Sequence, residues 1–106
     1  RELARVGYLL MQNGKWADDE VVPSSWIKKA TKPSQTLNPE YGFTFWVNTD
    51  GTRWPGLPVD MFSLEGYNTN RCYVIPSKEL VVVRVGSGPN QWNEQLFIKQ
   101  VLKAIN

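Results

Sequence analysis

The sequence predicts an α+β domain in which a twisted antiparallel sheet of about three to four strands is covered by helices from the two ends of the chain. Apolar residues recur at helical spacing near both termini. Arg71–Ile75 and Leu80–Val85 flank the connector Pro76-Ser77-Lys78-Glu79, whose length suits antiparallel neighbours. Leu80-Val81-Val82-Val83 is apolar at every position, so this strand is expected to be covered on both faces and to lie in the sheet interior.

The elements follow in order. Leu3, Val6, Gly7 and Leu10 share one helical face, and Asn13-Gly14 supplies a left-handed stop, so residues 1–13 read as a helix. After Pro23, Ser24 or Ser25 can cap a short helix through Thr31, which Pro33 prevents from continuing. Residues 32–40 read as a surface loop. Tyr41 to Val47, rich in aromatic and β-branched residues, reads as a strand, and Asn48-Thr49-Asp50-Gly51 as a turn. The loop Trp54-Pro55-Gly56-Leu57-Pro58 precedes a strand over Asp60 to Glu65, and Gly66 to Asn70 forms an irregular junction. The last helix takes Asn90 as its cap and Ile98, Val101, Leu102 and Ile105 as its apolar stripe. No boundary divides the 106 residues into two domains. Because the helical pattern starts at Arg1 with no capping residue ahead of it, the polypeptide is expected to begin further upstream.

Composition narrows the function. Twelve Lys and Arg against ten Asp and Glu leave a net charge of +2, scattered along the chain, which argues against nucleic acid as a partner. The apolar runs Gly7–Met11 and Leu80–Val83 fall far short of the ~20 residues that cross a bilayer. Cys72 is the only cysteine, so neither an internal disulfide nor a thiolate metal site can form. Histidine is absent, which removes any Ser-His-Asp or Cys-His arrangement built from this chain alone.

Several phrases, in order and spacing, resemble the C-terminal portion of the superfamily of serine β-lactamases, penicillin-binding proteins and related esterases. They are Glu2 to Leu10 followed by Asn13-Gly14-Lys15-Trp16, Pro23-Ser24-Ser25-Trp26-Ile27 to Thr31, Tyr41-Gly42-Phe43, and Phe62-Ser63-Leu64-Glu65-Gly66-Tyr67 continuing through Tyr73-Val74-Ile75-Pro76 to Leu80–Gly86. The resemblance implies that the sheet and its helices are part of an α/β/α sandwich. It further implies an acyl-enzyme mechanism on esters, amides, or peptide- or β-lactam-like substrates, with no cofactor and no metal, in a periplasmic or secreted protein. The nucleophilic Ser and the Lys of its S-x-x-K motif would come from the remainder of the polypeptide.

Carried across by this resemblance, Leu64, Glu65 and Gly66 occupy the positions of a Lys-Thr-Gly motif on the cleft wall. Gly66 would let substrate approach the strand edge, and the backbone N–H of Tyr67 would be one of two oxyanion donors. Leu64 lacks the positive charge that a Lys offers a substrate carboxylate, and Glu65 opposes one, so esters, amides or peptides are favoured over carboxylate-bearing β-lactams. Tyr67-Asn68-Thr69-Asn70 stands where many relatives have a second Gly and a Gln, so the local turn is expected to differ.

Other features have plainer readings. Ser25-Trp26-Ile27-Lys28 matches S-x-x-K literally but falls in a short helix expected to be exposed, where a cap and a solvated Lys are the ordinary roles. Trp26, Trp46 and Trp92 are expected to pack in the core, whereas Trp54, in a Pro/Gly-rich loop, is a candidate to line a cleft. The plainer reading of Glu65, a solvated residue at a strand end, is favoured over a place at the cleft. Cys72 should behave as a small buried hydrophobe and Asp18-Asp19-Glu20 as a solvated turn. The alternative to an enzyme portion is a non-catalytic binding module or scaffold that recognises a glycan or peptide through Trp54 and Tyr67.

Overall fold

The elements run α1 (Glu2–Met11), β1 (Lys15–Trp16), β2 (Asp19–Glu20), α2 (Ser24–Ala30), β3 (Trp46–Val47), β4 (Phe62–Glu65), β5 (Arg71–Ile75), β6 (Leu80–Arg84) and α3 (Glu94–Ile105). The structure is a computed structural model that describes residues 1–34, 37–86 and 92–105, without the side chain of Asn68. Strands β3-β4-β5-β6 form one antiparallel sheet in that order, and β1 and β2 make a separate hairpin.

Alternation along β5 sorts the core into two halves. Cys72 and Val74 join Leu10 of α1, Ile27 and Ala30 of α2, and Phe45, Val47 and Phe62 on one face. Tyr73 and Ile75 join Ile98 of α3 with Trp54, Leu57 and Met61 on the other. The sheet is thus covered on both sides, and the architecture is the expected α+β, with helices from both ends of the chain. Packing on the α1 side is tight at Gly7, where a Cβ would stand 2.6 Å from Val81 Cγ1 and 2.9 Å from Cys72 Sγ. A larger residue here would require the Val81 and Cys72 side chains to give way.

Strand β6 is covered on both faces, as its uniform apolarity predicts: Val81 and Val83 pack on the α1 side, Leu80 and Val82 on the α3 side. Its position in the sheet differs from the expectation, because among the described residues it is an edge strand paired with β5 alone. An apolar residue at every position reports coverage from above and below, and carries no information on lateral neighbours.

Three boundaries differ for local reasons. The strand expected over Tyr41 to Val47 shrinks to Trp46–Val47, because the chain turns back on itself there. Gly42 N–H donates to Phe45 O at 2.8 Å, Phe43 N–H to Ala30 O at 2.9 Å, and Thr44 adopts a φ of 68°. The cap expected at Asn90 lies outside the described residues; Asn93 Oδ1 accepts the Leu96 N–H at 2.9 Å, at the start of α3. Helix α2 starts at Ser24 after Pro23, and neither Ser24 nor Ser25 caps it through its side chain.

Trp26 departs from its expected core role, for it lies 51% exposed on α2 and touches only the rim of the core, 5.6 Å from the Phe43 ring. Ile105, the last member of the predicted stripe, is exposed at the end of α3. No described helix is long and apolar enough to cross a membrane.

Candidate functional site

The site of interest is where β4 outruns its neighbour. Strand β3 pairs with β4 only at Trp46↔Ser63 and Val47↔Phe62, whereas β5 pairs with β4 through Leu64↔Cys72 and Glu65↔Arg71. The side of β4 turned away from β5 is therefore unpaired from Leu64 onward, among the described residues. Alternation sends the side chains of Leu64 and Glu65 to opposite faces: Leu64 packs against the α1-side core, and Glu65 faces the α3 side. Neither projects alone into the same space.

Beyond Glu65 the chain stays extended at Gly66, with φ −119° and ψ 179°, and then makes a 3-10 turn over Tyr67–Thr69. Gly66 N–H donates to Asn70 O at 2.9 Å, and Asn70 N–H returns a weaker bond to Tyr67 O at 3.3 Å. The turn is stapled from the neighbouring strands. Arg71 Nη1 donates to Gly66 O and Asn70 O at 3.3 and 3.0 Å, and Arg84 Nη1 donates to Thr69 O at 2.8 Å. Asn70 Oδ1 also accepts the Gly86 N–H at 2.8 Å. Tyr67 stands out from this junction, 86% exposed.

Gly66 needs to be glycine for no reason internal to the chain. Its backbone lies in a region any residue adopts, and a Cβ there would meet nothing nearer than Asn70 Cβ at 3.6 Å. Gly66 and Tyr67 thus form an open, firmly held corner at one end of the sheet.

Behind this corner sits a network of charge that sequence reasoning did not identify. Arg53 Nη2 donates to both oxygens of Glu65 at 2.9 and 3.0 Å, and Ser63 Oγ donates to Glu65 Oε2 at 2.9 Å. Arg71 Nη2 lies 3.6 Å from Glu65 Oε1, and Arg71 Nε lies 3.5 Å from Glu94 Oε2. Glu94 in turn accepts from Tyr73 Oη at 2.6 Å and from Trp54 Nε1 at 2.9 Å. Arg53 also stacks over Trp46, 4.3 Å from the ring centroid. Glu65 is therefore neither a solvated strand-end residue nor a free negative charge: its side chain is only 10% exposed and shared between two guanidinium groups. Burial, with the hydrogen bond to Glu94 second, pushes the Tyr73 hydroxyl far above its usual ionisation range.

The candidate cleft role of Trp54 is corrected by its position. The ring is 1% exposed, packed edge-on to Tyr73 at 6.3 Å. Asn48 is the physical reason. Fully buried, it accepts the Trp54 N–H at 2.8 Å through Oδ1, and its Nδ2 donates to the carbonyls of Trp54, Leu57 and Pro58 at 3.1 to 3.2 Å. The loop is thereby folded onto the sheet with its tryptophan inward. A Pro/Gly-rich composition announced a loop but not which way its aromatic residue would turn.

The remaining candidates lie apart. Ser25 and Lys28 are exposed on α2, and Asp18, Asp19 and Glu20 are exposed around the β1-β2 hairpin. Among the described residues no group of His, Cys, Asp and Glu is placed to hold a metal ion. Cys72 is fully buried, and desolvation pushes its thiol up to about 11. Neither family models nor curated protein sequences match this chain.

Proposed function

We propose that this chain is part of a serine hydrolase of the β-lactamase and penicillin-binding-protein type, and that its Gly66-Tyr67 corner forms one wall of an acyl-transfer cleft. In this reading Gly66 admits the substrate to the unpaired side of β4, and the Tyr67 N–H is one of two donors to the oxyanion of a tetrahedral intermediate. The attacking serine and its activating lysine come from polypeptide outside these residues. Esters, amides, or peptide- or β-lactam-like compounds are the substrates.

The observation that carries the proposal is the openness of this corner: an extended glycine that nothing in the chain crowds, followed by an exposed Tyr67, at the end of a strand whose flank is unpaired. A ligand approaching the backbone gives such a glycine its purpose. The neutralisation of Glu65 by Arg53 and Arg71 adds that the wall presents no bare carboxylate to an incoming acyl group. The alternative binding module loses one of its two aromatic contacts, since Trp54 is enclosed.

The test compares the chain alone with the polypeptide that joins it to an S-x-x-K segment, using nitrocefin and p-nitrophenyl esters. The chain alone should give no turnover above solvent, and the longer polypeptide should hydrolyse at least an ester. Turnover by the 106 residues alone would refute the division of labour.

A further inference from the structure

The Tyr67 N–H and the Gly66 carbonyl belong to one peptide group. Because that group is planar and trans, whatever fixes the direction of Gly66 O also fixes the direction of the Tyr67 N–H. Glycine is the residue least able to fix it unaided, since its backbone turns with little steric restraint. Arg71, on the neighbouring strand, supplies the restraint. Its Nη1 donates to Gly66 O at 3.3 Å and to Asn70 O at 3.0 Å, and Asn70 O also accepts the Gly66 N–H at 2.9 Å. One guanidinium nitrogen thereby closes a ring of bonds around Gly66.

The guanidinium is itself held from behind. Glu65 Oε1 lies 3.6 Å from Arg71 Nη2, and Glu94 Oε2, in the first turn of α3, lies 3.5 Å from Arg71 Nε. These are ion-pair distances; among the described residues the hydrogen bonds of the Arg71 side chain go to the two carbonyls alone. Neither carboxylate depends on Arg71 for its own hydrogen bonds. Glu65 has Arg53 and Ser63 as donors, and Glu94 has Tyr73 and Trp54. The corner is what depends on Arg71. On the reading of that corner as an oxyanion site, we propose that Arg71 is a positioning residue for the acyl-transfer step. It locks the Gly66–Tyr67 peptide in the orientation that offers the Tyr67 N–H to the oxyanion, and its positive charge on the carbonyl of the same amide strengthens that donor. Such a contribution is felt only once charge has developed on the substrate oxygen, so it lowers the barrier without tightening the ground state.

Hydrolysis of a p-nitrophenyl ester and inhibition by phenylboronic acid, both measured on the longer polypeptide carrying the S-x-x-K segment, test this. Phenylboronic acid bonds through boron to the attacking oxygen and sets a boron-bound oxygen in the oxyanion position. Arg71→Met keeps an aliphatic stem and leaves both carboxylates their other donors. It should lower kcat and weaken the boronate Ki by about 10- to 100-fold each, with KM within about threefold of native. A variant that merely folded less completely would lose Vmax with Ki unchanged. Arg71→Lys returns a charged donor without the planar fork, so its Ki should be only about 2- to 5-fold weaker than native. An unchanged Ki in Arg71→Met, or a Ki in Arg71→Lys no better than in Arg71→Met, would overturn the role; should Arg71→Met not fold, a native Ki in Arg71→Lys would do so. A native polypeptide without turnover, or an active one indifferent to Gly66→Ala, would overturn the cleft reading and this role with it. An active one that Gly66→Ala impairs and Arg71→Met does not would overturn the role of Arg71 alone.

Discussion

Arg53 and Glu65, twelve positions apart, meet with one guanidinium nitrogen between both carboxylate oxygens at 2.9 and 3.0 Å. This contact ties the loop that ends in Leu57-Pro58 to the last residue of β4, immediately before Gly66. Glu40 approaches the same guanidinium at 3.6 Å, so three segments of chain converge on one arginine.

Truncating that arginine should be costly. Arg53→Ala leaves a nearly buried carboxylate with Ser63 and a more distant Arg71, and should lower stability by about 1–3 kcal/mol. Glu65→Gln should cost less, since an amide oxygen still accepts from Arg53. Urea unfolding of the two variants checks the order; a loss at Glu65→Gln larger than at Arg53→Ala would contradict it.

Gly7 gives a second expectation, one that opposes helix propensity. Replacing a mid-helix glycine with alanine ordinarily stabilises by about 1 kcal/mol. Here the new methyl would stand 2.6 Å from Val81 Cγ1, so Gly7→Ala should instead destabilise by about 1–3 kcal/mol. A raised melting temperature would show that α1 does not approach β5 and β6 so closely.

Burial of Cys72 and Tyr73 sets the behaviour in alkali. Both groups are held neutral in the folded chain at pH values where they would ionise when unfolded. The folded state therefore retains the extra protons, and the stability they contribute is complete below the unfolded thiol value of 9.0 and falls as pH rises towards about 11. Cys72→Ala should flatten part of that decline. In the native chain at pH 8 the thiol should resist maleimide, reacting fully only after denaturation.

Much of this architecture was legible in the residues. The β5-β6 hairpin followed from two β-rich runs and a short connector, and the two covered faces followed from Leu80 to Val83. Helix periodicity located α1 and α3. Side-chain networks between distant segments were not legible: nothing at Arg53, Arg71 or Glu94 marks them as partners until the register places Arg71 beside Glu65 and α3 brings Glu94 to Trp54. The same blindness put Trp54 on the wrong side of its loop, since Asn48 decides the matter through four hydrogen bonds that no local pattern encodes. The junction from Gly66 to Asn70 was legible as punctuation after a strand end, whereas the roles given to Gly66 and Tyr67 come from the family resemblance alone.

One substitution bears most directly on the role of the open corner. Gly66→Ala has an extended backbone to occupy and no neighbour closer than 3.6 Å, so unfolding of the chain should change by no more than about 0.5 kcal/mol. In the longer polypeptide carrying an S-x-x-K segment, the same methyl would stand where substrate meets β4, and hydrolysis of a p-nitrophenyl ester should fall by about ten- to a hundredfold. Unaltered stability together with unaltered ester turnover in that polypeptide would contradict the account.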